Sequence, residues 1–229
     1  HIDCAIPVFH GWHGEDGTIQ GLFEMANIPY ASTGVLGSAI GMDKIAMKLL
    51  LRGAGYPVLD FVWFTREQIK KDRKAVVERV EKEIKYPAFI KPAALGSSIG
   101  VSRAKNREEL ERALEVAASY DRRVLVEVGV VHPVEINCAA LGYGEEVQTS
   151  VCEMPIPSSN DTFLDFWQKY LRNASTKGEE SRGMKSLSRA VPAPIGEELT
   201  KRIQTMTAEI FKLMDCCGTI RVDYILDQN

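Results

Sequence analysis

Tyr86-Pro-Ala-Phe-Ile-Lys-Pro-Ala-Ala-Leu-Gly-Ser-Ser-Ile-Gly100 decides how this chain is read. Ala88-Phe-Ile90 is a short apolar run between turn formers, the pattern of a buried strand, and it delivers Lys91 at its end. Pro92 has no N–H to donate, so the hydrogen-bonded ladder is expected to stop there. Gly96 and Gly100 enclose Ser97, Ser98 and Ile99, a loop through which backbone amides and hydroxyls can approach a ligand closely. A fixed cation beside such donors suits a polyphosphate. The order excludes a P-loop, because Lys91 precedes the glycines and no Gly-Lys-Ser/Thr follows them. It also differs from the dinucleotide fingerprint, whose glycines are spaced otherwise and lead straight into a helix. Taken alone, the same residues also describe a strand that ends in a polar turn.

The rest of the chain narrows the choice. Its 229 residues suffice for one large domain or two to three small lobes with a real core. Hydrophobic content of 45% against 26% charged residues is that of a soluble globular protein. A net charge of −3 without a basic stripe argues against a nucleic-acid partner. No apolar run approaches the ~18 residues of a membrane span, and His1-Ile-Asp-Cys4 lacks the features of a signal peptide. Five cysteines without C-x-x-C spacing read as reduced thiols in a cytosolic protein.

Three lobes can be traced. Ile2 to Phe9 reads as a strand, Gln20 to Ala26 as a helix, Ile28 to Tyr30 as a short strand and Ser38 to Leu51 as a helix, the grammar of a parallel α/β lobe. A strand at Val62–Phe64 then leads to Thr65-Arg-Glu-Gln68, a capping box that opens a long charged helix. Ala88–Ile90 is expected to pair with the strand at Val101-Ser-Arg103. Asn106 caps a helix whose Leu110, Ala113, Leu114 and Ala117 form one stripe, and Val124-Leu-Val-Glu127 is the next strand. The third lobe has strands near Glu135–Leu141, Val147–Val151 and Ile220–Leu226 and a helix from about Glu197 to Met214. Between them Pro155 to Pro194 is polar and charged, and reads as a mobile functional loop.

Other motifs lie around the opening stretch in a fixed order. His10-Gly-Trp-His-Gly-Glu-Asp-Gly17 and Gly41-Met-Asp-Lys44 precede it. Val124-Leu-Val-Glu127, Glu135-Ile-Asn137, Lys169-Tyr170 and Arg221-Val-Asp223 follow. In this order and spacing the chain closely resembles the D-alanine–D-alanine ligases of the ATP-grasp superfamily, from its first residue to its last. The resemblance implies an α/β ATP-grasp fold divided at 1–43 (part of an N-terminal substrate lobe), 44–135 (central lobe) and 136–229 (C-terminal lobe, with the loop 155–194). It implies ATP as co-substrate, Mg2+ with Mn2+ as a substitute, D-alanine as substrate and a homodimer. It also implies an earlier segment carrying the first strands and a substrate-binding glutamate, and a later Glu and Asn that complete the metal site.

The resemblance also distributes roles. Lys44, Lys91, Ser98 and Lys169 are expected on the ATP phosphates, Glu127 on adenine and Glu135 on the ribose. His10 and Glu15 would bind substrate. Ser97 and Tyr170 would hydrogen-bond behind the acceptor, Arg221 would stabilise the oxyanion and the transferring phosphate, and Asp223 would hold Mg2+. Blander readings stand beside these: a solvated helix lysine for Lys44, a surface histidine for His10, surface ion pairs for Glu127 and Glu135, and a simple salt bridge for Arg221 and Asp223, which alternate onto one strand face. The expected activity is synthesis of D-alanyl-D-alanine for peptidoglycan. D-lactate or D-serine as acceptor, or a nucleotide-binding module without turnover, are its rivals.

Overall fold

The computed structural model describes residues 2–96, 99–156 and 188–227. Helices α1 (Thr18–Met25), α2 (Val35–Met42) and α3 (Lys44–Gly53) open the chain. Ile2 to Phe9 does not form the expected strand. Among the described residues its one ladder contact is a parallel bridge between Ala5 and Tyr30, which also reduces the expected strand at Ile28–Tyr30 to a single position. Val8 is 79% exposed and Ile6 73%, so the apolar run has no neighbour covering it among the described residues.

The helix expected from Ser38 to Leu51 is two helices. Asp43 adopts an extended conformation, and its carboxylate accepts hydrogen bonds from the amides of Ile45 and Ala46, starting α3 afresh. Lys44 is therefore the first residue of a new helix rather than an interior one. The long charged helix is split in the same way. The Thr65 capping box forms as expected and opens α4 (Arg66–Lys71), and Asp72 then caps α5 (Arg73–Glu83).

The first sheet has the order β1 (Phe61–Thr65), β4 (Arg123–Val128), β2 (Ala88–Pro92), β3 (Ser102–Ala104), antiparallel throughout. Strand alternation sorts its side chains. Val62, Phe64, Ala88, Ile90, Val124 and Val126 point into a core closed by α4, α5 and α6 (Arg107–Tyr120). Phe61 and Leu125 face the other way, onto Ile45 of α3. Pro92 ends only half of the ladder. Pairing with β3 stops at Ile90–Ser102, while pairing with β4 runs on to Pro92–Val124, because the proline needs no donor on its free side.

The second sheet has the order β6 (Glu146–Thr149), β5 (Val134–Tyr143), β9 (Gly218–Leu226). Ile136, Cys138 and Ala140 of β5 pack against Ile203, Ile210 and Phe211 of α7 (Glu197–Leu213). The opposite face carries Glu135, Asn137 and Ala139 beside Ile225, Asp223 and Arg221. Within the expected loop 155–194, its two stems instead pair as β7 (Met154–Ile156) and β8 (Ser188–Ala190). No described helix is long and apolar enough to cross a membrane.

Candidate functional site

Glu127 is the centre of the first charged cluster. It lies on the α3-facing side of β4 and its side chain is only 4% exposed. Lys91, two positions off the directly paired residue on β2, donates to its Oε1. Lys48, one helical turn after Lys44 on α3, places its Nζ 2.9 Å from Oε2. That second approach is an ion-pair contact without hydrogen-bond alignment, so Oε2 remains a buried acceptor with no hydrogen-bond partner. Burial would raise the Glu127 carboxyl, but Lys91 and Lys48 outweigh it and hold the group below the usual carboxylate range.

Lys44 joins the same cluster. Its amide bonds the Ala93 carbonyl at 2.9 Å and its Nζ donates to the Leu95 carbonyl at 2.5 Å. Burial, with Lys91 nearby, pushes its ammonium down to about 8 against the opposing pull of Glu127 and Asp121. The helix start that carries Lys44 is anchored twice, since Asp43 also pairs with Arg123 at the head of β4. Two lysines thus pair with one carboxylate just before the Gly-Ser loop, and a third lies within reach of its charge.

The residues that lead into the loop are braced from both sides. Asp121 accepts from the Ala94 amide at 2.7 Å, and Trp12 donates from its indole to the Ala94 carbonyl at 2.6 Å. Gly100 has φ 72, and a Cβ there would meet Pro92 Cγ at 2.7 Å and Tyr120 Cδ2 at 2.8 Å. Its freedom therefore serves the turn and its packing. Gly96 lies against the His10-Gly-Trp turn, 4.0 Å from Gly11 Cα by the same measure. His10 and Glu15 stay exposed, with Glu15 accepting from the Gly11 amide at 2.6 Å. Ser97, Ser98, Lys169 and Tyr170 lie outside the described residues.

A second charged cluster sits on the face of the β5–β9 pair that turns away from α7. Arg221 grips Asp223 with two hydrogen bonds of 2.7 and 3.0 Å, the plain salt bridge that the alternation allows. Glu135 is raised above its usual range by burial, then by the negative charge of Asp223, with Glu153 adding to it and Arg221 opposing. Directly across from Asp223, Asn137 is buried with its Oδ1 unpartnered. A small cleft connects the two sheets, lined by Phe89, Lys91 and Glu127 on one side and by Pro133 and Ile225 on the other.

Sequence reasoning missed Lys48, Asp43, Asp121 and Asn137 as parts of the site. The signal for Lys48 was its spacing of four from Lys44, which stacks the two on one helix face. Asn137 stood in the quoted Glu135-Ile-Asn motif, two residues from Glu135 and so on the same strand face.

Comparison with known proteins decides the family. The family described as D-ala D-ala ligase C-terminus matches residues 50–229, and its N-terminal counterpart matches residues 1–33. This chain belongs to the D-alanine–D-alanine ligase family. It is 43% identical to the D-alanine–D-alanine ligase of Acetivibrio thermocellus over 98% of this chain and 56% of that protein. The Bacillus velezensis ligase is 40% identical over 98% of this chain and 59% of its own length. Among solved structures, the VanG D-Ala:D-Ser ligase of Enterococcus faecalis matches with TM-score 0.78 and 35% identity, covering 96% of this chain and 59% of that one. The D-alanine–D-alanine ligase of Coxiella burnetii matches with TM-score 0.78 and 30% identity over 99% and 55%. The chain thus spans a little over half the length of the relatives it matches, and it has the ATP-grasp fold.

Proposed function

We propose that this chain is the nucleotide-binding part of an ATP-dependent ligase that joins two D-alanine molecules. The observation that carries the reading is the gathering of three lysines at the Gly96–Gly100 loop around one carboxylate: Lys48 and Lys91 pair with Glu127, and Lys44 feels its charge while holding the Leu95 carbonyl. The direct partners of this cluster leave an excess of positive charge, which suits a polyphosphate. Glu127 also lines the cleft between the two sheets, where a carboxylate suits the amine of adenine. The lobes are taken as 1–43, 44–135 and 136–229; the first boundary falls at the helix break at Asp43, and the second lies two residues into β5.

In this reading one D-alanine carboxylate attacks the γ-phosphorus, breaking its bond to the β,γ-bridging oxygen and releasing ADP, with an acyl phosphate as product. The amine of a second D-alanine then adds to the acyl carbon, loses a proton, and the tetrahedral adduct expels phosphate. The protein contributes positioning and charge. His10 and Glu15 orient substrate, Ser97, Ser98, Lys169 and Tyr170 are assigned to phosphate and acceptor by the family resemblance, and Arg221 faces the developing negative charge. Mg2+ would be held by Asp223 once Arg221 turns from its carboxylate to phosphate; the unpartnered Oδ1 of Asn137 stands directly across the strand pair, and phosphates would supply further oxygens. Among the described residues no three His, Cys, Asp or Glu side chains gather to hold a metal. When bound, the cation would neutralise phosphate charge. A homodimer in the cytosol belongs to the same reading, and five free cysteines fit that compartment.

D-serine is the second acceptor to test, because a D-Ala:D-Ser ligase is as similar in fold as a D-alanine–D-alanine ligase. The test is phosphate release from ATP by a chain of the relatives' full length, offered D-alanine alone or with D-serine or D-lactate. Dipeptide from D-alanine alone is expected. Turnover only in the presence of D-serine or D-lactate would overturn the acceptor assignment, and no turnover with any of them would leave a nucleotide-binding module.

A further inference from the structure

Lys91 and Glu127 line the cleft between the sheets, whereas Lys48, 12% exposed, is not among the residues lining it. Its ammonium lies 5.6 Å from the centre of the Phe61 ring and against the far oxygen of Glu127. Lys91 therefore has two anions to choose between: Glu127 Oε1, which it holds in this structure, and a phosphate in the cleft. Releasing Oε1 would strand a nearly buried carboxylate unless another cation stayed with it, and an uncompensated buried charge is strongly unfavourable. Lys48 is that cation. Lys44 does not take its place, because its Nζ is committed to the Leu95 carbonyl.

We infer that Lys48 is a positioning residue for nucleotide binding, holding Glu127 so that Lys91 can exchange the carboxylate for a phosphate. The inference rests on the nucleotide-binding reading above. It makes the effect of Lys48 conditional on two other side chains, which a purely structural role would not be. Without Lys48, Lys91 stays on Glu127 and the phosphates lose their partner, while the nucleoside portion of the ligand is affected far less.

The test is calorimetric binding of ATP and of adenosine to the 229-residue chain and its variants, read as the ratio of the two affinities. Lys48→Met is expected to reduce the preference for ATP about tenfold, the effect of losing about 1.4 kcal/mol of phosphate contact. Lys48→Arg should restore most of it. Lys91→Met should lose the preference as well, and adding Lys48→Met to Lys91→Met should lose no more. Glu127→Gln added to Lys48→Met removes the stranded charge and should recover the preference, which keeps the test decisive if Lys48→Met alone folds poorly. A wild-type ratio in Lys48→Met, or losses that add with Lys91→Met, would overturn the inference alone. A wild-type chain that does not prefer ATP over adenosine would remove the nucleotide reading, and the inference with it.

Discussion

Lys91 and Glu127 stand diagonally across neighbouring antiparallel strands, and their ion pair joins β2 to β4 on the face that looks into the cleft. Two strands that each read as apolar runs in the sequence thus bring one buried charge apiece to the same place. Strand alternation does this without any loop: Ile90 and Val126 fill the core, so Lys91 and Glu127 must face the other way.

From that pair follows a comparison of two lysines. Lys91→Ala removes a charged hydrogen bond to a buried carboxylate and is expected to lower stability by about 1–3 kcal/mol, with Lys48 limiting the loss. It should also weaken ATP binding far more than Lys70→Ala, a change in the last turn of the short surface helix α4. Urea unfolding and nucleotide titration check both parts. Equal effects of the two changes on ATP would remove Lys91 from the phosphate site.

Asp43 links local structure to the site more directly. It caps α3 through two amides and pairs with Arg123, whereas Asp72 caps α5 through one amide. Asp43→Ala should cost about 1–2 kcal/mol and Asp72→Ala about 0.5–1 kcal/mol, in line with the range for lost caps. Because Lys44 is the first residue of the helix that Asp43 starts, only the Asp43 change should also weaken nucleotide binding. Thermal unfolding with and without ATP distinguishes the two.

Much of this architecture was legible in the sequence. The period-two and apolar runs around Ile90, Val126 and Ile136 were long enough to name their strands, and the Thr65 and Asn106 caps carry their partners three residues away. What stayed hidden has physical causes. The break at Asp43 is invisible to periodicity because apolar residues continue on both sides of it. The run from Ile2 to Phe9 is strand-like in composition, but a strand forms by pairing, and among the described residues only Ala5 finds a partner. Nothing near Lys48 in the sequence marks it, since its burial depends on Glu127, almost eighty residues further on. The roles of Ser97, Ser98, Lys169 and Tyr170 rest on resemblance alone.

The Arg221–Asp223 pair separates stability from function. Both side chains are about half exposed (49% and 47%), and such pairs contribute ~0–1 kcal/mol. Asp223→Asn is therefore expected to change the unfolding midpoint very little. In a chain of the relatives' full length the same change should abolish most Mg2+-dependent turnover if Asp223 holds the cation. A large loss of stability with intact turnover would assign the pair to the fold instead.

Lys44 offers a prediction with a definite pH. Burial, with the charge of Lys91, sets its pKa at about 8, below the 10.5 of an ordinary lysine. Its folded-state value is depressed, so the unfolded chain binds more protons between about pH 8 and 10.5, and this residue's contribution to stability rises with pH across that window. Polyphosphate beside Lys44 would favour the charged ammonium and draw the value back up. ATP binding near pH 8 should therefore take up a fraction of a proton, measured as a dependence of the calorimetric heat on the ionisation enthalpy of the buffer. Lys44→Arg keeps the positive charge but cannot titrate there, so it should still bind ATP and lose the uptake. Uptake that persists in Lys44→Arg would place the titrating group elsewhere. Its absence in the wild type would show that the phosphates do not reach Lys44.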